Sequence, residues 1–179
     1  MLFLTRFPSA PALLLSIFTI FCQNMTPGVH AHPVDACAAI TAETRVLMDS
    51  LFSEFALDNF GTSFANALSD DLSWTVTGSS PIAGKYESKQ IYLEKVLNPL
   101  RDVLETLPVP IIDRILVDCD WAAVNWHSEG VFAKNGNNYD MTYAWMMRVE
   151  AGKIVEVIGF YDGEKVSKAF EGYTFPAKA

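Results

Sequence analysis

Alternation of large apolar residues with smaller or polar ones between residues 139 and 150 is the feature that most limits how this 179-residue chain can fold. The odd positions carry the large apolar side chains, namely Tyr139, Met141, Tyr143, Trp145 and Met147. Successive side chains of a β-strand point to opposite faces, so this spacing predicts a strand that buries its odd-numbered face. Such a face must pack against a second layer of structure.

Four segments of the C-terminal half have the composition and alternation of strands, at residues 111–117, 121–133, 139–150 and 153–161. The loops Asn135–Asn138 and Ala151–Gly152 are typical of hairpins, so we expect a mostly antiparallel sheet. Trp74 lies in an earlier alternating segment, residues 72–76, which predicts a further strand.

Helices are predicted between these strands. Residues 35–59 have apolar side chains at three- and four-residue spacing, and Gly61 follows as a stop; the apolar positions are Val46, Leu47, Leu51, Phe52 and Phe55. Residues 62–68 form a short second helix, and Ser88 caps a longer one that runs to Leu107 with a kink at Pro99. The sequence therefore predicts a single α+β domain over residues 35–172, with a curved sheet, helices over one face and a C-terminal tail at 173–179.

Composition limits the function. The net charge is -8, with 13 Lys and Arg against 21 Asp and Glu and no basic run, so we expect no nucleic-acid partner. Aromatic residues make up 12% of the chain, which indicates a ring-lined cavity for an apolar molecule.

The first 31 residues have the layout of a secretory signal peptide. Arg6 precedes the apolar run Pro11–Cys22, and Val29 and Ala31 are the small residues that a signal peptidase requires. We expect cleavage after Ala31, export to the secretory lumen or beyond, and no membrane association afterwards. A retained membrane anchor is the alternative, although the apolar run is short for a bilayer.

Cleavage would leave two cysteines, Cys37 and Cys119. In an oxidising compartment they can form one disulfide, and they can equally be two small buried apolar groups.

A two-residue turn at Ala151–Gly152 sets a register for the last hairpin. It places Tyr143 opposite Phe160 and Met141 opposite Asp162. Asp162 would then lie at the end of an apolar surface, where poor solvation raises a carboxyl pKa and makes it a candidate general base. The alternative is that Asp162 and the glycine after it only begin a turn.

The orientation of His127 depends on the loop at residues 135–138. A two-residue turn there places Trp126 on the inner face and sends His127 outward, whereas a three-residue turn reverses both. Apolar Val124, Trp126 and Phe132 favour the outward orientation of His127, and a catalytic, inward His127 is the alternative.

Metal-ligand and phosphate-binding motifs are absent from the sequence, so we expect no metal and no cofactor. Asp113, Asp118 and Asp120 supply too few ligands for calcium and are interpreted as a solvated turn.

Four segments in order resemble the SnoaL-like branch of the nuclear transport factor two and ketosteroid isomerase superfamily. They are Trp74–Gly78, Pro81–Tyr86, the pattern that joins Gly136, Tyr139 and Tyr143, and the stretch from Gly152 to Asp162. The resemblance spans about residues 35–170. It implies a cone-shaped half-barrel with a deep pocket between sheet and helices, a homodimer and no cofactor, and it places the family's recurrent aspartate on Asp162. It departs from the family at Met141, where related sequences often have a polar residue.

These observations give two expectations for function. The first is a cofactor-independent isomerase or lyase, such as a polyketide cyclase or dehydratase of secondary metabolism, in which Asp162 removes a proton and Tyr143 or His127 donates a hydrogen bond to the enolate oxygen. The substrate body would contact Trp74, Tyr92, Trp126, Tyr139, Met141, Trp145 and Phe160. The second is a secreted dimeric protein that binds an apolar ligand without chemistry. A purely structural dimer with a filled core, which binds nothing, is a third possibility.

Overall fold

Two helices open the part of the chain that the computed structural model describes, residues 33–175; the expected signal peptide lies outside these residues. They are α1 (Pro33–Asp58) and α2 (Thr62–Ala67). One stripe of α1 is buried, and it comprises Met48, Leu51, Phe52 and Phe55. Val46, which the spacing placed on this stripe, is 69% exposed. Within residues 33–175, no helix combines the length and apolar character needed to cross a bilayer.

Asp58 fixes the turn between α1 and α2. Its carboxylate accepts hydrogen bonds from the backbone N–H of Gly61 at 3.1 Å and of Ser63 at 2.7 Å. A Cβ atom at position 61 would lie 2.8 Å from the Asp58 carbonyl oxygen, so the close approach requires glycine there. The turn leaves Phe60 and Phe64 buried beneath the sheet.

The next segment contains two strands, β1 (Leu68–Val76) and β2 (Gly84–Glu87). β1 begins four residues before the predicted strand. β2 was not predicted; it is a short edge strand, antiparallel to β1, whose mostly exposed side chains leave no alternation in the sequence.

A helical segment follows Ser88, whose hydroxyl accepts the backbone N–H of Ile91 at 3.1 Å, as predicted. It consists of α3 (Lys89–Tyr92), a π turn (Leu93–Leu97) and α4 (Asn98–Val103). The predicted kink at Pro99 takes the form of this wide π turn, because proline has no N–H to donate to the preceding turn. The helix ends at Val103 rather than Leu107, since Leu104 is extended and pairs with Ala133.

Four strands complete the sheet: β3 (Ile111–Asp118), β4 (Trp121–His127), β5 (Thr142–Glu150) and β6 (Lys153–Phe160). The strand order is β2-β1-β6-β5-β4-β3, and only the β1–β6 pair is parallel. β4 is shorter than predicted, because residues 128–141 form a loop closed by a Phe132–Asn138 bridge. The result is the predicted α+β arrangement, an open and mostly antiparallel sheet with helices on one side.

The β5–β6 hairpin contains a bulge that the predicted register lacked. Glu150 pairs with Lys153 across the Ala151–Gly152 turn, as predicted. Beyond it, Val149 pairs with Ile154 but Arg148 pairs with Glu156, so Val155 is an extra residue on β6. A one-residue shift exchanges the two faces of a strand, and every later side chain of β6 is therefore on the opposite face from the prediction.

Candidate functional site

The inner face of the sheet is aromatic. Trp74 of β1, Trp126 of β4 and Trp145 of β5 are each at most 5% exposed. Trp126 pairs in register with Tyr143, and their rings stack with centroids 3.7 Å apart and an interplanar angle of 6°. The predicted inward odd face of β5 is thus confirmed.

The helices supply the opposite wall. Tyr92 at the end of α3 stacks on Trp74 with centroids 4.1 Å apart, and Phe64 of α2 contacts both rings. The π turn adds Val96 and Leu97, both buried. A π turn displaces side chains from the regular helical spacing, so it determines which residues reach the sheet.

A cavity of about 40 Å³ lies between these walls. This is space for roughly three water molecules, so an organic ligand enters only if wall side chains move. The lining residues are aromatic or aliphatic: Phe60, Phe64, Tyr92, Val96, Leu97, Leu100, Leu107, Pro108, Trp126, Tyr139, Tyr143, Trp145 and Tyr161. No charged side chain of residues 33–175 is among them.

Within residues 33–175, three buried polar atoms of cavity-lining residues have no hydrogen-bond partner: Trp126 Nε1, Trp145 Nε1 and the Tyr143 hydroxyl. The Ser128 hydroxyl, behind Tyr143, is also unpartnered. Buried polar groups are normally satisfied, since an unpaired one costs about 1–3 kcal/mol. An indole N–H can only donate, so Trp126 and Trp145 are buried donors that require an acceptor.

The tyrosines of the wall stay protonated. Burial raises the pKa of the Tyr143 and Tyr161 hydroxyls far above the usual phenol range, and it does the same for Tyr92 and Tyr139. Ser128 and Trp145 are close enough to lower the pKa of Tyr143 and Tyr161 respectively by a smaller amount, although neither contact has hydrogen-bond geometry. These phenols are therefore donors, not bases, at neutral pH.

The structure brings five predicted ligand-binding or catalytic residues to the cavity: Tyr92, Trp126, Tyr139, Tyr143 and Trp145. Trp74 lies behind them, and its Nε1 donates to the Tyr161 hydroxyl at 3.3 Å. Met141 is 6% exposed but does not line the cavity.

Asp162 and Phe160 are not where the predicted register placed them. Because of the bulge at Val155, Phe160 pairs with Ala144 on the outer face and is 44% exposed. Asp162 is exposed and caps α5 (Gly163–Ala169), a helix that was not predicted. Its carboxylate accepts the backbone N–H of Glu164 at 3.0 Å and of Lys165 at 3.1 Å. This geometry agrees with the alternative interpretation of the Asp-Gly pair, in which Asp162 begins a local backbone structure.

His127 faces outward, as the favoured hairpin register predicted. Its Nδ1 lies 3.0 Å from the Asp113 carboxylate and its Nε2 3.6 Å from Glu129. The hydrogen bond to Asp113, which is the extra residue of a bulge in β3, raises the pKa of His127. His127 is thus separated from the cavity by the sheet. Across residues 33–175, no group of three His, Cys, Asp or Glu residues is placed to hold a metal ion.

Tyr161 is a polar cavity residue that the sequence interpretation missed, along with apolar ones such as Phe60 and Phe64, and a signal for Tyr161 exists. A Cβ atom at position 159 would lie 2.5 Å from the Tyr161 hydroxyl, so the Tyr161 ring lies over Gly159. Glycine in a strand often marks such a close approach. Residues two apart in a strand point to the same face, so Gly159 and Tyr161 lie on one face of the sheet. Here that face is the inner one.

Comparison with known proteins agrees with this architecture. Residues 50–157, more than half of the chain, match the model of the SnoaL-like domain. Among solved structures, an NTF2-like protein from Burkholderia thailandensis superposes with a TM-score of 0.60 at 19% identity and covers 71% of this chain and 96% of its own. An NTF2-like protein of unknown function from Burkholderia pseudomallei gives 0.59 at 14% identity, covering 70% and 95%. No curated protein matches the sequence. At these identities the structural likeness shows the fold alone.

Proposed function

Since the chain belongs to the SnoaL-like domain family, we propose that it uses the cavity between sheet and helices to bind a small, largely apolar molecule that carries a neutral hydrogen-bond acceptor. The observation that supports this most is the set of unpartnered donors in an otherwise apolar wall, Trp126 Nε1, Trp145 Nε1 and the Tyr143 hydroxyl. A ketone, lactone or ester carbonyl oxygen has two lone pairs and can accept from two of these donors.

The absence of charge in the wall narrows the ligand class. A carboxylate or phosphate buried here would have no cation among the lining residues of the described chain, and an unpaired buried charge costs far more than a neutral group. An ammonium group has no lone pair with which to accept from these donors. The proposed ligand is therefore uncharged, with its apolar body against Phe60, Phe64 and Leu97.

Isomerase or lyase chemistry is a second candidate, and the neutral Tyr143 phenol favours it. A preorganised donor stabilises the oxyanion that forms when a proton leaves the carbon next to a carbonyl. The expected base is not at the cavity, because Asp162 caps α5 and does not line the cavity wall. We therefore propose binding as the function and treat turnover as an outcome of the ligand assay.

Titration with matched ligands tests the binding proposal. A bicyclic ketone and the hydrocarbon with the same skeleton are compared by tryptophan fluorescence with wild type and with Tyr143→Phe. We expect wild type to prefer the ketone, and the variant to lose about fivefold in ketone affinity while hydrocarbon affinity is unchanged, because one neutral hydrogen bond is removed. Tyr173→Phe is the matched control, since the Tyr173 hydroxyl donates to Asp102 away from the cavity.

Product analysis of the same samples tests catalysis. When the bicyclic ketone carries a β,γ double bond or a β-hydroxyl group, an isomerised or dehydrated product that disappears in Asp162→Asn would support the proton-abstraction mechanism, and the same product rate in Asp162→Asn would exclude Asp162 as the base. If the ketone is recovered unchanged from every sample, the function is binding without turnover. Equal affinity for ketone and hydrocarbon would contradict the role of the donors.

Export is a separate proposal, based on the residue pattern of positions 1–31. Sequencing the N-terminus of the protein recovered from the growth medium of a secreting host should give His32 as the first residue. Retention of the intact N-terminus in a membrane fraction would support the anchor instead.

A further inference from the structure

Cys37 and Cys119 lie at one junction between the helical layer and the sheet. Cys37 is near the start of α1, and Cys119 is in the two-residue turn between β3 and β4. The Cys119 backbone N–H donates to the Thr41 hydroxyl at 2.9 Å. Thr41 follows Cys37 by one helical turn, so both side chains project from the same face of α1 toward this turn.

Cys37 is the neighbour that most affects the Cys119 thiol. Its side chain is the main cause that raises the pKa of Cys119, and both cysteines are free in this structure. A raised thiol pKa lowers the thiolate fraction, so Cys119 has the character of a structural thiol rather than of a reactive nucleophile.

The first position of the β3–β4 turn has the same backbone conformation as that of the β5–β6 turn. The φ of Cys119 is 54°, in the left-handed region. Ala151, at the equivalent first position of the β5–β6 turn, has a φ of 48°. The conformation therefore belongs to these two-residue turns and does not itself require a cysteine.

From this geometry we propose that Cys37 and Cys119 form a disulfide that fastens the start of α1 to the β3–β4 turn when the protein enters an oxidising compartment. The reaction is thiol–disulfide exchange with a disulfide donor such as oxidised glutathione. Both cysteine thiols lose their hydrogens, one S–S bond forms between them, and the donor's S–S bond is reduced to two thiols.

The bond would join residues far apart in the chain. It would close a loop that runs from α1 through α2, β1, β2, α3, the π turn and α4 to β3, and long closed loops restrict the unfolded chain most. The loop includes Phe52 and Phe55, which pack near Trp145 and one another. The disulfide proposal rests on the positions of the two cysteines and is independent of the ligand proposed for the cavity.

Peptide mapping of the full chain tests the proposal. Purified protein is equilibrated with a glutathione redox buffer of endoplasmic-reticulum composition, denatured, alkylated and digested with trypsin. We expect the peptide that ends at Arg45 to be joined to the peptide of residues 115–134, and reduction to separate them. Cys22→Ser is the matched control, because Cys22 shares the first peptide and its substitution should leave the bond intact.

Thermal unfolding supplies a second readout that does not require any variant to reach the oxidised state. Oxidised wild type should have a Tm roughly 10 °C above reduced wild type, and Cys37→Ser and Cys119→Ser should each match the reduced protein with or without reductant. Full alkylation of both cysteines before reduction, a bond to Cys22, or a redox-dependent Tm that survives in Cys37→Ser would overturn the proposal.

Discussion

His127 lies on the outer face of the sheet beside two carboxylates, and its protonation is linked to folding. The hydrogen bond to Asp113 raises the pKa of the folded imidazole above that of the unfolded chain. A raised folded pKa means that this contact contributes stability fully below the unfolded pKa of about 6.5 and loses it as pH rises through the folded value.

We expect an NMR titration of the His127 ring to give a pKa above 6.5, and Asp113→Asn to bring the pKa back toward it. Glu129→Gln should lower the pKa by less, since the Asp113 hydrogen bond is the larger cause. An unchanged pKa in Asp113→Asn would mean that the ion pair does not form in solution.

Single residues differ in how well the sequence predicts their environment. Tyr143 and Trp145 lie on a strand with unbroken alternation, so their inward orientation followed from parity alone. Asp162 lies beyond a bulge that the sequence does not indicate, because Val155 is an ordinary strand residue. A parity argument fails at the first irregularity between the turn and the residue of interest.

The bulge at Val155 determines which face of β6, and of Tyr161 after it, turns toward the helices. Ile154 before it and Val157 after it are both buried, and Tyr161 reaches the cavity only because the shift occurs between them. Without the extra residue, the parts of β6 before and after position 155 could not both face inward. Either Ile154 alone, or Val157 together with Tyr161, would then point to the outer face.

Deletion of Val155 should therefore lower the free energy of unfolding by more than about 2 kcal/mol, as expected for removing large side chains from a core. Val155→Ala keeps the bulge and should cost less than about 1 kcal/mol, since this side chain is only partly buried. Denaturant unfolding measures both. A deletion variant as stable as Val155→Ala would show that the register is not fixed by the bulge.

Elements were predictable in proportion to their apolar patterning. α1 and β5 bury one face over several turns or alternations, and both were predicted. β2 and α5 are short and largely exposed, so their stability derives from pairing with β1 and from the Asp162 cap rather than from periodicity. The π turn before Pro99 was foreseen only as a kink.

The outer face of the sheet carries apolar residues that this chain alone leaves exposed. They extend across β3, β5 and β6, and they include Leu116 at 58%, Met146 at 43% and Phe160 at 44% exposure. A contiguous apolar patch on a sheet face is typical of an interaction surface. We propose that a second copy of the chain covers it.

Light scattering after gel filtration should accordingly give a dimer for wild type and a monomer for the double variant Leu116→Glu, Met146→Glu. Leu57→Glu is the matched control, because Leu57 is 88% exposed on α1 and should leave the dimer unchanged. A monomeric wild type at tens of micromolar would contradict the proposed dimer.

In the proposed binding mode the cavity donates hydrogen bonds to a neutral acceptor, and the four tryptophans allow a direct test. Trp126 and Trp145 have unpartnered indole N–H groups in the cavity wall. Trp74 already donates to Tyr161, and Trp121 does not line the cavity, so both serve as internal controls.

The decisive measurement is the NMR spectrum of 15N-labelled indoles during titration with the bicyclic ketone and, separately, its hydrocarbon analogue. Saturation with the ketone should move the Trp126 and Trp145 indole protons downfield, as new hydrogen bonds form, and leave Trp121 unmoved; the hydrocarbon should produce no such downfield movement. Unmoved Trp126 and Trp145 signals with bound ketone, or equal movement with both ligands, would contradict the account.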